Sequence, residues 1–343
     1  MQKTGRCISP LRIAIVGCGA VVEQRYVPVL KQLGWMPTAL VDTSAERRHS
    51  VAALFGSNPV ESEEAIAVAD AFDAAIVATP HALHERICVD LLRAGKHVFV
   101  EKPMAHTTAA CIAMNSAAAE SGAKLAVALY CRQATAGRWF KEALQANAFG
   151  TLHRFKIGQG YEYNWPLASD SMWRKEQSGG GVLVDTGAHT MDQIIWWFGE
   201  PDEIEYFDDA DGGVEADALA RMRWISGLQG EVELSRTRTT SNALVLESKK
   251  GILTLSMWGD KLEASSASML TFDSPMFQKP PFQPENWMDM FRAQLVQFDA
   301  YVRGQLAHVV SGDEAIRSVA LIERCYATRR RLERPWIHYV STN

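Results

Sequence analysis

Short apolar runs separated by helix-length stretches dominate the first third of the chain. Leu11-Arg-Ile-Ala-Ile-Val16 is apolar almost throughout and stops at Gly17, the pattern of a strand buried on both faces. A helix is expected over 20–33 and a second strand over 36–41. Ser44 then caps a helix over 45–55 that Gly56 ends. Residues 74–78 read as a strand, 83–93 as a helix stopped by Gly95, and 97–100 as a strand. Thr107 caps a helix to 121, and 125–129 is the last strand of the series. Strands separated by helices predict parallel pairing through right-handed crossovers.

The pattern changes near residue 150. Residues 152–161 are long and strand-like. Ala218, Ala220, Met222 and Trp224 then fall on one face of an alternating run, as do Val232 with Leu234 and Leu244 with Leu246. Gly227, Gly230 and Gly251 punctuate these runs, so a mostly antiparallel sheet with one wet face is expected. An amphipathic helix over 185–198 interrupts it, helices over 287–302 and 313–332 close the chain, and 274–286, rich in Pro and Gln, reads as a loop. The expected fold class is α/β. A doubly wound, Rossmann-type parallel sheet fills 1–130, and an α+β domain with a large open sheet fills 131–343.

Composition narrows the function classes. A length of 343 residues suits two cores rather than one. A net charge of −5 gives no basic face for nucleic acid. No apolar run approaches the roughly 20 residues that cross a bilayer, and the first ten residues read as a lead-in to a strand. Cys7, Cys18, Cys88, Cys111, Cys131 and Cys325 are scattered without zinc or redox spacing. Buried free thiols point to a reducing, cytoplasmic compartment. His81 and His84 lack further ligands, so no metal site is expected, and no Walker A or Gly-x-Ser-x-Gly sequence is present.

Two constellations carry chemistry. Gly17-Cys18-Gly19-Ala20-Val21-Val22 joins the first strand to the first helix, where a tight turn and free helix amides suit a pyrophosphate. Asp42 ends the second strand at the spacing of a ribose-binding carboxylate. It favours NAD over NADP, while Arg47 keeps a 2′-phosphate open. Structurally, Asp42 also fits a residue that starts the turn before Ser44. The second constellation begins with Glu101-Lys102-Pro103, which places an ammonium group beyond a strand end, where ligands of open parallel sheets sit. The segment Gly179-Gly-Gly-Val-Leu-Val-Asp185-Thr-Gly-Ala-His189-Thr-Met-Asp192 puts Asp185 and His189 four residues apart. His189 suits an acid/base, and Asp185 suits its holder or a contact to an adjacent substrate hydroxyl; the bland alternative is a helix cap and a core histidine. Tyr161, Tyr163, Trp165 and Trp173 offer ring faces for sugars or simply fill an interface. Trp196 and Trp197 fit helix packing.

These motifs, with Thr79-Pro80, His84, Phe149-Gly150 and Gly199-Glu-Pro201, resemble the Gfo/Idh/MocA oxidoreductase family across nearly the whole chain. Val22 in the glycine fingerprint and His81 depart from its pattern. The resemblance implies a catalytic trio of Lys102, Asp185 and His189. It implies NAD(P) contacts at Gly17, Cys18, Gly19, Ala20, Val21, Asp42, Thr43 and Arg47, then at Thr79, His84, Glu101, Lys102, Trp173 and Arg174. A cis Lys102–Pro103 bond and a homodimer or homotetramer formed through the C-terminal sheet are implied as well. The expected reaction is hydride transfer between the nicotinamide and a secondary alcohol or ketone carbon of a sugar, cyclic polyol or sugar nucleotide. An NAD-dependent glycosidase and a non-catalytic dinucleotide-binding regulator are the alternatives.

Overall fold

The computed structural model describes residues 11–166, 169–257, 262–265 and 286–333. Residues 1–10, with Cys7, and the 274–286 loop short of Asn286 lie outside them.

Strands β1 (Ile13–Val16), β2 (Pro37–Val41), β3 (Val60–Ser62), β4 (Ala74–Val77), β5 (His97–Val100) and β6 (Leu125–Val127) pair in parallel in the order β6-β5-β4-β1-β2-β3. The order reverses beside β1, which makes its carboxyl end the switch point of a Rossmann sheet. Helices α1 (Val27–Leu33) and α2 (Ala45–Phe55) pack on one face through Val29, Leu30 and Phe55. Helices α3 (His84–Arg93) and α4 (Thr108–Ser121) cover the other through Leu91, Leu92 and Met114. Ser44 and Thr107 cap α2 and α4 as expected, each accepting a backbone N–H three residues on.

The first helix departs from a plain α-helix. Val22–Tyr26 forms a π-helical turn, with the Val27 N–H bonded to the Val22 carbonyl. Val22, the departure from the fingerprint, is fully buried in the core there.

Helix α5 (Thr135–Gln145) leads into the second domain. Its sheet is built from β7 (Leu152–Gly160), β8 (Glu203–Asp208), β9 (Asp217–Arg223), β10 (Gln229–Ser235), β11 (Ala243–Ser248), β12 (Gly251–Ser256) and β13 (Leu262–Ser265). It is antiparallel except where β10 meets β7 and at its β8 edge. Ala218, Ala220, Met222 and Trp224 are buried together, as the alternation predicts. The opposite face carries ion pairs such as Lys156–Glu231–Arg221 and Arg154–Glu247. The short α6 (Lys175–Ser178) and the long α7 (Thr186–Phe198) follow β7, and α7 packs Met191, Ile194 and Ile195 into this core.

The chain then returns to the first sheet. Helix α8 (Trp287–Val302) buries Phe291, Leu295 and Phe298 against it, and β14 (Val310–Ser311) pairs antiparallel with β6. Helix α9 (Gly312–Ala327) gives Ala315 and Val319 to the first domain and Leu321, Ile322 and Cys325 to the second, so one helix is clamped in both cores.

The closing helix expected over 313–332 is shorter than its pattern. After Ala327 the chain turns into β15 (Arg329–Arg331), parallel to β8. Arg329 Nε donates to the buried Asp208 carboxylate at 2.6 Å, and that tertiary pairing overrides the helix propensity of three arginines. Helix α5 and strands β3 and β8 were not legible in the apolar pattern.

Candidate active site

A cleft of about 960 Å³ opens beyond the carboxyl ends of β1, β2, β4 and β5, and the second domain closes it with Tyr161, Asp185 and His189. Gly17 turns with φ +93°, and a Cβ there would lie 2.5 Å from the Ala78 carbonyl oxygen, so no side chain fits. Gly19 faces open space, where a ligand backbone can approach. The helix begins at Ala20, and its first amides lack acceptors within the helix, the arrangement that receives a phosphate. Asp42 accepts the Cys18 N–H on Oδ2 and the Ser44 N–H on Oδ1, both at 2.8 Å. It therefore starts the turn and still lines the cleft, with a second lone pair on each oxygen for ribose hydroxyls. These residues fit a dinucleotide.

Of the expected cofactor contacts, Gly17, Gly19, Ala20 and Val21 line the cleft, as do Asp42, Thr43, Arg47, Thr79, Glu101 and Lys102. The remaining four sit behind or beside its lining, with Trp173 packed on Tyr163 at 5.3 Å. The Cys18 side chain is buried in the core. His84 lies fully buried behind the Thr79-Pro80 turn, its ring nitrogens 3.0 Å from the Thr79 carbonyl and 3.1 Å from that of Pro103. Trp173 is 46% exposed, and Arg174 is paired with Asp170. His81, the other departure from the family pattern, spans the two domains through a 2.9 Å contact between its Nδ1 and the Ser178 carbonyl.

The two domains meet chemically at Lys102. The Lys102–Pro103 peptide is cis. Lys102 Nζ donates to Asp185 Oδ1 at 2.7 Å and to the Asp185 carbonyl at 2.9 Å. Arg236 Nη2 takes the other carboxylate oxygen, Oδ2, at 3.0 Å. Arg236 was missed by the sequence reading. It sits 51 residues from Asp185, at the end of β10, and no spacing signals the pairing. Both Asp185 oxygens are thus held by cations, which corrects the expectation that Asp185 holds His189. His189 sits on the first turn of α7 with its Nδ1 buried and unpartnered among the described residues. The Tyr130 ring packs edge-on against it at 4.5 Å. Asp192 takes no part, because Arg132 grips it with two 2.7 Å bonds.

The glycines of 179–181 make room for protein rather than ligand. A Cβ on Gly180 would strike the Tyr326 hydroxyl, and one on Gly181 the Glu215 backbone.

Electrostatics follow from burial and these pairs. Desolvation opposes the Asp185 charge, but Lys102 and Arg236 outweigh it and hold the carboxyl well below its usual range. Desolvation likewise opposes the Lys102 ammonium, and Asp185 and Glu101 still keep its pKa above the ordinary value. Glu101 is pushed up by burial, against hydrogen bonds from the Tyr26 hydroxyl and the Lys102 N–H. His189 is pushed down to about 3, first by burial and then by Lys102. Burial, aided by His84, takes His81 to about 3 as well.

A pH dependence of stability follows. Both imidazoles are neutral in the fold, while an unfolded histidine titrates near 6.5. The unfolded state therefore binds more protons between about pH 6.5 and 3, and stability present above 6.5 is lost as pH falls through that window. The expected slope is up to about 1.4 kcal/mol per histidine per pH unit. Urea unfolding at pH 7, 6 and 5 checks it; an unchanged midpoint would show these rings to be solvated.

Residues 11–129 match the family described as an oxidoreductase family with an NAD-binding Rossmann fold, and residues 138–254 match the GFO/IDH/MocA C-terminal domain. The chain belongs to the Gfo/Idh/MocA oxidoreductase family. Among its relatives, the 1,5-anhydro-D-fructose reductase of Ensifer adhaerens is 27% identical over 63% of this chain and 67% of that protein. The scyllo-inositol 2-dehydrogenase (NADP(+)) IolW of Bacillus subtilis is 28% identical over 60% of this chain and 56% of that protein. The chain spans about half to two thirds of the length of the curated relatives it matches. The WlbA dehydrogenase from Bordetella pertussis, solved with NADH and UDP-GlcNAcA, shares the fold, with a TM-score of 0.79. That match covers 93% of this chain and 96% of WlbA at 21% identity. The first domain is accordingly the NAD-binding Rossmann unit of this oxidoreductase family. Among the described residues, no helix is long and apolar enough to cross a membrane, and no group of three or more His, Cys, Asp or Glu could hold a metal ion.

Proposed function

We propose that this chain interconverts a secondary alcohol and a ketone on a sugar, cyclic polyol or sugar nucleotide. Lys102 carries the reading. An ammonium has three N–H donors, and Asp185 engages two of them. The third is available to the reacting oxygen, in a cleft that also holds the dinucleotide-type glycine turn and His189.

When bound, the dinucleotide accepts or supplies the hydride at its nicotinamide ring. The protein's own groups manage the oxygen and its proton. Lys102, fixed by Asp185, hydrogen-bonds the oxygen and stabilises negative charge that develops on it. Arg236 holds the far oxygen of Asp185, so the carboxylate cannot swing away from Lys102. Neutral His189 accepts the hydroxyl proton during oxidation and returns it during reduction; Lys102 is the alternative proton donor in reduction. Asp42 supports NAD as the preferred dinucleotide, and Arg47 beside it leaves NADP acceptable. Sugar-type substrates are supported by the relatives, which are named as sugar and inositol reductases and dehydrogenases.

The test is absorbance in the reduced-nicotinamide band, with each dinucleotide, over a panel of inositols, aldoses, glycosides and their keto derivatives. Net dinucleotide turnover with at least one polyhydroxylated ring is expected. Release of free sugar from a glycoside without net turnover would overturn the dehydrogenase reading in favour of the glycosidase.

A further inference from the structure

Arg25 is a cation of the cleft with no anion among the described residues. Arg25 lies on the π-helical turn of the first helix, half-buried, and lines the same cleft as Lys102 and His189. Its guanidinium sits 3.9 Å from the centre of the Trp287 ring on α8 and 4.8 Å from that of Trp165, in the segment after β7. Three separate parts of the chain therefore converge to hold it. Among the described residues it has neither a carboxylate in ion-pair range nor a hydrogen-bond acceptor. Arg236 and Arg132 nearby are engaged, the first with Asp185 and the second with Asp192 and Glu314, while Arg47 and Arg86 line the cleft elsewhere.

The geometry of that clamp matters. Cation–π contacts use the flat faces of a guanidinium, while its N–H donors point outward in the plane. Two indoles thus hold Arg25 in place, and its N–H edge meets no acceptor among the described residues. That edge matches a carboxylate or phosphate, which can take two parallel N–H bonds. Burial works against the charge of Arg25, and only the neighbouring Tyr130 and Tyr161 offset it. The position also suits a substrate contact. Tyr130 touches the His189 ring at 4.5 Å and Phe291 at 4.7 Å, and Phe291 in turn meets Trp287 at 6.1 Å. An aromatic wall thus runs from the proposed acid/base to the clamped guanidinium.

We infer that Arg25 is the anion-recognising residue of the substrate pocket, and that the substrate is an acidic ring compound bearing a carboxylate or a phosphate. This rests on the alcohol–ketone reading above and narrows it to the anionic members of that substrate class.

Trp165 and Trp287 supply the probe, because their fluorescence reports what reaches Arg25. The full chain, saturated with NADH, is titrated with matched pairs: D-glucuronate and D-glucose, D-galacturonate and D-galactose, myo-inositol 1-phosphate and myo-inositol. At least one anionic member is expected to bind at least about tenfold more tightly than its neutral partner. The uronates and the phosphate tell the two anion sources apart. In Arg25→Gln the preference should fall to within about twofold, and Arg25→Lys, which keeps charge but loses the fork, should retain part of it. Wild-type protein with no anion preference across the panel overturns the inference, as does Arg25→Gln that keeps it. Weakened NADH binding in Arg25→Gln with the sugar preference intact also overturns it, because Arg25 would then serve the dinucleotide phosphates. Hydride transfer from the same compounds is followed in parallel samples that hold NAD+ in place of NADH. Transfer to neutral rings without anion preference sinks this inference alone, and anion binding without transfer sinks the alcohol–ketone reading alone.

Discussion

Lys102→Met should lower kcat/KM by about 100- to 1,000-fold, the usual consequence of deleting one donor to a developing oxyanion. Two losses coincide in this variant. The substrate oxygen loses its hydrogen bond, and Asp185 loses the closer of its two cations, leaving a partly buried carboxylate held by Arg236 alone. Breaking a buried pair on one side typically costs about 3–5 kcal/mol, so thermal stability should fall as well. The two effects separate by measurement. Turnover with substrate and dinucleotide saturating, at a temperature well below the variant's Tm, reports the chemistry. Thermal unfolding reports the strut between domains. Lys102→Arg provides the comparison, since it keeps the charge but changes the donor geometry. A Lys102→Met enzyme that unfolds earlier yet turns over at the wild-type rate would reduce Lys102 to a domain tie and remove the observation on which the proposed function stands.

What could be read in the sequence was whatever physical chemistry writes locally. The β1 run, the turn at Gly17 and the placement of Asp42 follow from chain-local spacing, because a Rossmann turn is built from consecutive residues. Lys102 was legible from its place at the end of β5, where an open parallel sheet puts its ligands. The alternation in β9 and β10 gave the second sheet and its wet face.

What escaped depends on pairs that only the tertiary fold brings together. Arg236 reaches Asp185 from another strand end, and Arg25 meets Trp287 across most of the chain. No periodicity encodes either contact. His84 was expected at the cofactor from family likeness, and its ring backs the Thr79-Pro80 turn, while Trp173 and Arg174 sit against the cleft residues Tyr163 and Asp170. The i, i+4 spacing of Asp185 and His189 suggested a hydrogen-bonded pair. Asp185 instead occupies the N-cap position of α7, with φ −82° and ψ −86°, and is turned toward Lys102. Spacing along a helix fixed proximity, and competing cations fixed the partner.

His189→Ala should reduce turnover by about 100- to 10,000-fold, the range for removing a positioned acid/base. The distinctive part of this prediction is its pH signature. An ordinary histidine base would lose activity through an acid limb near 6.5. Burial and the adjacent Lys102 depress His189 to about 3, so the imidazole stays neutral and able to accept a proton across the range from pH 5 to 8. Wild-type kcat/KM for alcohol oxidation should therefore show no acid limb from this residue near pH 6.5. The low basicity has a consequence for direction. Reduction draws on the protonated ring, which a pKa near 3 leaves scarce at neutral pH, so ketone reduction through His189 should quicken as pH falls while alcohol oxidation stays flat. The measurement is a kcat/KM profile in both directions for wild type and His189→Ala, with dinucleotide saturating. An acid limb near 6.5 that disappears in His189→Ala would show the ring to be solvated in the working enzyme. Wild-type rates of ketone reduction in His189→Ala would pass the proton-donor role to Lys102, whose ammonium keeps one N–H free of Asp185.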